Sequence, residues 1–151
     1  KTKSVDAIWI FYAWAGVKTE LEGLETDYFA FADLDSVFDF YTPVIIANNT
    51  FLAEEPETAR AFLDAVSRGY EFAIEHPREA GEILCKAAPE LDPDLVKASQ
   101  EYLADKYQAD APQWGYIDQE RWDAYYAWLN EKGLTETPIE AGTGCSNEYL
   151  P

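Results

Sequence analysis

The chain has 151 residues, about one domain's worth, with 29 acidic and 11 basic side chains and a formal net charge of −18. Such a charge repels phosphate backbones, so nucleic acids are not expected partners. The hydrophobic fraction of 48% is too high for a disordered chain, and no apolar run approaches the roughly 20 residues of a membrane span. The opening KTKSVD has no hydrophobic signal core, so any export signal is expected to have been removed or not to be part of this sequence.

Three apolar segments in the first third of the chain predict β-strands. Apolar residues occupy both odd and even positions of segment 5–11, which favours a strand buried on both faces. A short helix from Ala13 to Leu21 follows, and residues 27–34 and 44–48 are the other strand candidates. Strand, helix, strand predicts an α/β fold. Three strands are fewer than a stable sheet usually has, so further strands are expected upstream.

Helices dominate the remainder of the predicted fold. Apolar residues at steps of three and four predict a helix from Pro56 to about His76, and Pro77 can begin the next one. Asp92 is the expected N-cap of a third helix. The last helix is expected to include Asp118 and to end at Gly133; its other members are Arg121, Trp122, Tyr125, Tyr126 and Leu129. After this helix the chain is expected to be irregular.

The sequence contains no recognisable catalytic or metal-binding motif. His76 is the only histidine, and Cys85 and Cys145 stand far apart, so a structural zinc site is not expected and the pairing of the two thiols is left open. Paired carboxylates are interpreted as solvated charge. We therefore predict no catalytic residue, no metal and no cofactor.

Aromatic residues are the stronger candidates for function. Tyr12 and Trp14 come just after the first predicted strand, and ligands of open α/β sheets bind at the carboxyl ends of the strands. Their rings could stack on a planar ligand, and the N–H groups of the following turn could accept an anion. Tyr41 has a similar position before residues 44–48. The alternative is that these rings belong to the core.

Four sequence blocks resemble one protein family. They are VDAIWIFYAWAG (5–16), a long block from FYTPVIIANN (40–84), KYQADAPQWGYIDQERWDAYYAWLNEKGL (106–134) and the closing NEYLP (147–151). Together they are similar to the second half of ABC-transporter substrate-binding proteins, in the subgroup of receptors for thiamine pyrimidine precursors, nitrate, sulfonates and taurine.

This resemblance implies a fragment of a type II periplasmic-binding-protein-like α/β fold, with few strands at its N-terminal end and a helix-rich C-terminal part. Residues 1–41 would belong to the second lobe, 42–48 to a hinge strand, and 49–151 to a helical part that packs on the first lobe. The expected partners are a small-molecule ligand, an ABC permease in the membrane, and the missing N-terminal half or another copy of this chain. The location would be extracytoplasmic, in the periplasm or lipid-anchored at the cell surface.

The resemblance also bears on the ligand site. Gly16 joins Tyr12, Trp14 and Tyr41 as a ligand-binding candidate, whereas Ala15 stands where pyrimidine-binding relatives carry an acidic residue. The ligand would be a small planar or anionic nutrient, such as a thiamine pyrimidine precursor or a sulfonate. Two alternatives are a pyrimidine-precursor synthase-like enzyme of the same fold and a helical protein-interaction module.

Overall fold

The computed structural model describes residues 6–151. A π-helical turn, Tyr12–Gly16, leads directly into helix α1, Val17–Leu21. The later elements are α2 (Phe31–Leu34), a 3-10 turn (Ser36–Phe38), α3 (Asn49–Glu54), α4 (Pro56–Glu75), α5 (Pro77–Ala87), α6 (Pro93–Leu103) and α7 (Gln119–Glu131). No helix within this described range has the length and apolar character needed to cross a membrane.

The predicted α/β class, with strands at the N-terminal end, is wrong for this structure. Within residues 6–151 no segment forms a β-strand, and the regular structure is helical. Val5 lies outside the described residues, residues 7–11 and 44–48 have no regular secondary structure, and segment 27–34 ends in α2. The physical reason is that a strand requires a second backbone to pair with. Alternating apolar residues predict an extended chain but do not supply that partner.

The side chains of these segments are also more exposed than predicted. Side chains at both odd and even positions of residues 5–11 are predicted to be buried, yet Ile8 is 77% exposed and Trp9 is 63% exposed. The ring of Trp9 packs instead against Phe11, with centroids 4.8 Å apart. In the other segment Ile46 is 88% exposed. The two segments therefore present apolar side chains to solvent.

The long helices begin and end where the sequence predicts. The Asp92 carboxylate accepts hydrogen bonds from the N–H groups of Asp94 and Leu95, at 3.0 and 3.4 Å. Asp118 likewise accepts from the N–H of Arg121 at 2.8 Å. The predicted stop at Gly133 is confirmed by its positive φ of 64°, which glycine adopts without a Cβ clash.

The chain divides into two compact units, each of which is described by itself. Unit 1 is made of Lys1–Asp27 and Gly69–Ala109, and unit 2 of Tyr28–Arg68 and Asp110–Pro151.

Unit 1 is built around α6. Helix α5 packs along it where Gly81 is buried, and a Cβ built on Gly81 would lie 3.5 Å from Cγ1 of Val96. The π-helical turn and α1 also contact α6, and Val17 at the start of α1 is buried. Val96 is only 1% exposed, so it occupies the centre of this core.

Unit 2 is held together by aromatic rings and by its C-terminal tail. Phe40 stacks on Tyr125 of α7 with centroids 4.5 Å apart, and Phe38 meets Trp128 edge-on at 5.2 Å. Asn147 is bonded to the backbone of Ile117 in both directions, accepting from its N–H at 2.9 Å and donating to its carbonyl at 2.8 Å. The tail is therefore attached to unit 2 by specific hydrogen bonds.

We expect Val96→Ala to lower the free energy of unfolding of the chain by about 2 kcal/mol, because it removes two buried methyl groups and leaves a cavity. Urea denaturation followed by circular dichroism measures this change. Ile83→Ala on α5 is the matched control: it removes more apolar atoms, but Ile83 is half exposed, so the expected change is under about 0.5 kcal/mol. An equal loss in both variants would contradict the assignment of the core.

Candidate functional site

Three of the four predicted ligand residues, Tyr12, Trp14 and Gly16, lie together in the five-residue π-helical turn. The turn is closed by the Phe11 carbonyl, which accepts hydrogen bonds from the N–H groups of Trp14 and Ala15 at 3.2 and 3.1 Å. The sequence placed Tyr12 and Trp14 just beyond a strand, whereas the structure places them within a helical turn. Such π-helical turns occur frequently at functional sites.

The position of Gly16 has no room for a side chain, because the Tyr12 ring lies close to its Cα. Its φ of −64° and ψ of −50° are ordinary helical values, so any residue could adopt this backbone conformation. However, a Cβ at this position would lie 2.5 Å from Cδ2 of the Tyr12 ring. Glycine thus allows the Tyr12 ring to approach the backbone of the turn closely.

The Tyr12 side chain is held from three directions. Its ring faces Gly16 and also packs against Tyr102 of α6, with centroids 5.2 Å apart and planes tilted by 40°. Its hydroxyl donates a hydrogen bond to the carboxylate of Glu20 on α1. The Lys106 ammonium lies 4.2 Å from the centroid of the Tyr102 ring, in a cation–π contact. Tyr12 is therefore a fixed part of the turn.

Trp14 is the most accessible aromatic ring of the turn. The residue is 41% exposed, whereas Gly16 is buried and Tyr12 is half-buried. An indole in this position offers a large flat surface and one N–H donor, which suit a planar ligand. Of the predicted residues in the turn, Trp14 has the geometry best suited to direct contact with a ligand.

Tyr41 lies in unit 2, where its side chain makes several intramolecular contacts. The hydroxyl accepts a hydrogen bond from the Asp118 N–H at 2.9 Å, and the ring stacks on Trp122 with centroids 6.5 Å apart. The Arg121 guanidinium lies 4.3 Å from the Tyr41 ring centroid and is paired with the Asp39 carboxylate at 2.6 Å. These contacts tie the segment before Tyr41 to the start of α7. A role for Tyr41 in ligand binding remains a prediction.

Two residues beside the turn were not singled out from the sequence. Glu20 could have been found from helical spacing, because positions 12, 16 and 20 are four residues apart and share one face of a continuous helix. The sequence interpretation began the helix one residue too late, which left Tyr12 off this face. Tyr102 could not have been found in this way, because its contact with Tyr12 depends on the packing of α6.

Within the part of the chain that the structure describes, other polar groups do not form a comparable site. His76, Arg78 and Glu101 line an open depression at the start of α5, where Arg78 is paired with Glu101. Within residues 6–151 no group of three or more His, Cys, Asp or Glu side chains is placed to hold a metal ion. Cys85 and Cys145 are both free thiols, and partial burial raises the pKa of the Cys145 thiol above its usual value.

Comparison with known proteins defines the family. Residues 1–80 match the family described as "NMT1/THI5 like", and the chain belongs to this family. This membership confirms the resemblance found in the sequence to substrate-binding proteins of that group.

Three curated proteins are similar over most of the chain. A formylaminopyrimidine-binding protein of Halalkalibacterium halodurans is 29% identical over 124 residues, which cover 80% of this chain and 37% of the relative. A riboflavin-binding protein of Chloroflexus aurantiacus is 24% identical over 140 residues, which cover 86% of this chain and 38% of the relative. A 4-amino-5-hydroxymethyl-2-methylpyrimidine phosphate synthase of Candida albicans is 38% identical over 116 residues, which cover 74% of this chain and 31% of the relative. The chain thus spans less than two fifths of the length of each relative.

We expect Gly16→Ala to lower the free energy of unfolding by about 1 to 3 kcal/mol, because the added methyl group displaces the Tyr12 ring. The control is Gly69→Ala in the middle of α4, where a Cβ meets no atom within 4 Å and alanine is the better helix former. This variant should gain about 0.5 to 1 kcal/mol. Thermal and urea denaturation of the two variants measure the difference, and a stable Gly16→Ala protein would refute the contact with Tyr12.

Proposed function

We propose that this chain is part of a solute-binding protein that captures a small planar organic nutrient, such as a pyrimidine derivative, and carries out no chemistry on it. The observation on which the proposal rests is the accessible Trp14 indole, presented by a turn whose geometry Tyr12 and Gly16 maintain. Stacking on a flat ligand needs such a ring, because it supplies contact area with little loss of conformational freedom.

The relatives support this choice of ligand. Two of them are named as binding proteins, for a formylaminopyrimidine and for riboflavin, and both ligands contain planar nitrogen heterocycles. The matched family region contains the whole turn, since it extends over residues 1–80. We therefore propose that the present chain also binds a heteroaromatic ligand of this kind.

Delivery to a membrane permease is the second part of the proposal. The resemblance to ABC-transporter receptors supports an extracytoplasmic location, in the periplasm or at the cell surface, and a permease that receives the ligand. The division into residues 1–41, 42–48 and 49–151 remains a prediction based on the same resemblance.

The third part of the proposal is a further polypeptide partner. Residues 7–11 and 44–47 carry exposed apolar side chains, and large exposed apolar patches on soluble proteins usually mark contact surfaces. Because the relatives are more than twice as long as the matched region, we propose that the remainder of a longer polypeptide covers these side chains. A second copy of this chain is the alternative occupant.

An enzymatic role is the competing proposal, and the similarity to a pyrimidine phosphate synthase is the observation that favours it. The resemblance connects that enzyme branch with a histidine and a cysteine-rich motif. In this chain the one histidine, His76, belongs to the depression at the start of α5 and is not part of the π-helical turn. This separation supports a binding role over a catalytic one.

In the full-length gene product we expect Trp14→Ala to weaken binding of formylaminopyrimidine by about 1 to 3 kcal/mol, the range known for stacking of a base on an aromatic side chain. Isothermal titration calorimetry measures the change, with riboflavin as a second probe. Residues 1–151 alone should bind either probe weakly, because small-molecule sites normally enclose most of the ligand.

Trp14→Phe is the matched control, since it keeps an aromatic ring and should retain most of the affinity. The melting temperature of both variants should stay close to that of the wild type, because Trp14 is partly exposed. Unchanged binding by Trp14→Ala would refute the role of the indole. Release of a pyrimidine product by the wild-type protein would refute a purely binding function.

Hydrogen exchange tests the proposed polypeptide partner. Amides of residues 7–11 and 44–47 should exchange rapidly in the 151-residue chain at low concentration and at least tenfold more slowly in the full-length gene product, because burial protects them from water. Amides of α6 serve as the control and should be protected in both samples. Protection that appears in the 151-residue chain only as its concentration rises would identify a second copy as the occupant instead.

A further inference from the structure

We propose that Tyr102 of α6 is a positioning residue for the ligand that stacks on Trp14. In this inference Tyr102 does not touch the ligand. It holds the Tyr12 ring, and through Tyr12 it keeps the π-helical turn in the form that presents the indole. The inference rests on the proposed function, because Trp14 is the ligand contact proposed there.

The first step is the backbone of the turn, which links Trp14 to Tyr12. The N–H of Val17 donates hydrogen bonds to the carbonyls of both residues, and Val17 itself is buried. The N–H of Trp14 donates to the Phe11 carbonyl at 3.2 Å. Because Tyr12 and Trp14 are bonded to the same buried residue, a displacement of Tyr12 also disturbs the backbone that carries the indole.

The second step is the contact that joins Tyr12 to a different helix of unit 1. Its partners Gly16 and Glu20 are close to it in the sequence and belong to the same helical stretch. The Tyr102 ring comes from α6 instead, and its centroid lies 5.2 Å from that of the Tyr12 ring. Contacts inside one helical stretch move with it, whereas a contact with a second helix restrains it. Tyr102 therefore restrains the Tyr12 ring relative to α6.

The third step is the fixed position of Tyr102 itself. Leu95, Ser99 and Tyr102 are spaced by four and three residues, so they lie along one face of α6. Leu95 and Ser99 are buried, and Tyr102 is half-buried. The Lys106 ammonium contacts the Tyr102 ring as well. Tyr102 thus continues the buried face of α6 to the point where the Tyr12 ring packs.

Together these contacts predict that the turn is ordered before a ligand arrives. A ligand that binds a mobile side chain must order it, which lowers the affinity without the loss of any ligand contact. Removal of the Tyr102 ring gives the Tyr12 side chain more freedom, so part of this ordering is moved to the binding step. Tyr102 should therefore affect affinity from outside the ligand's contact surface.

The first measurement follows the Trp14 ring in the 151-residue chain labelled with fluorotryptophan. In fluorine NMR spectra the Trp14 resonance is the one that disappears in Trp14→Phe. We expect Tyr102→Ala to shift or broaden this resonance, whereas Tyr102→Phe keeps the ring and should give the wild-type signal. The resonances of Trp122 and Trp128, on α7 of unit 2, are the internal references.

Tyr107→Ala is the matched control. Tyr107 is also half-buried in unit 1, and its ring meets that of Tyr70 edge-on with centroids 5.0 Å apart. The substitution therefore removes a ring contact of the same kind from the same unit, but away from the turn. It should lower the melting temperature about as much as Tyr102→Ala does and leave the Trp14 resonance unchanged.

The second measurement is binding by the full-length gene product. We expect Tyr102→Ala to weaken binding of formylaminopyrimidine by about 3- to 10-fold in isothermal titration calorimetry, which corresponds to the cost of ordering one side chain on binding. Tyr102→Phe and Tyr107→Ala should each change the affinity by less than about twofold. Circular dichroism verifies that the variants are folded. If Tyr102→Ala does not fold, Tyr102→Leu replaces it, because leucine keeps an apolar side chain on α6 without the ring.

The possible results separate this inference from the proposed function. An unchanged Trp14 resonance in Tyr102→Ala, or an equal change in Tyr107→Ala, would overturn the role of Tyr102 and leave solute binding in place. A changed resonance with unchanged affinity would also overturn it, because the order of the turn would then not matter to the ligand. Binding of neither formylaminopyrimidine nor riboflavin by the wild type would overturn the proposed function and with it the effect on affinity. The fluorine spectra would still decide whether Tyr102 fixes the turn.

Discussion

The packing of other elements against α6 is the interaction on which unit 1 depends. Leu95, Val96 and Ser99 are buried along this helix, and α5 packs along it at the buried Gly81. The same helix carries Tyr102, which contacts Tyr12 in the π-helical turn. The candidate site is therefore supported by the helix at the centre of the unit's hydrophobic core.

The two units use their aromatic residues in different ways. In unit 2 the rings of Phe38, Phe40 and Tyr41 pack on side chains of α7, and Tyr41 is further held by Arg121. In unit 1 Tyr12 is equally restrained, but Trp14 remains accessible two residues later. A rigid support next to an accessible ring is the arrangement that preorganised binding requires. This difference is the reason for locating the proposed site in the turn.

Several large apolar residues outside the two cores are exposed to solvent. Ile8, Trp9 and Ile46 expose most of their surface, which is unusual for large apolar side chains that cluster along short segments. The known relatives are also much longer than the region they share with this chain. Both observations are explained if these side chains are buried by polypeptide beyond the 151 residues, and the exposed apolar surface then reflects an interface.

The sequence by itself determined the long helices, their caps and the family. Pro77, Asp92 and Asp118 act on their immediate neighbours, so their effect can be read without knowledge of the fold. The sequence also grouped Tyr12, Trp14 and Gly16, because they are neighbours in the chain. Whether residues 7–11 and 44–48 form strands was decided only by the tertiary structure, since pairing needs a second backbone. The contact between Tyr102 and Tyr12, which α6 brings about, was likewise settled by packing, because residues distant in sequence meet only when the chain folds.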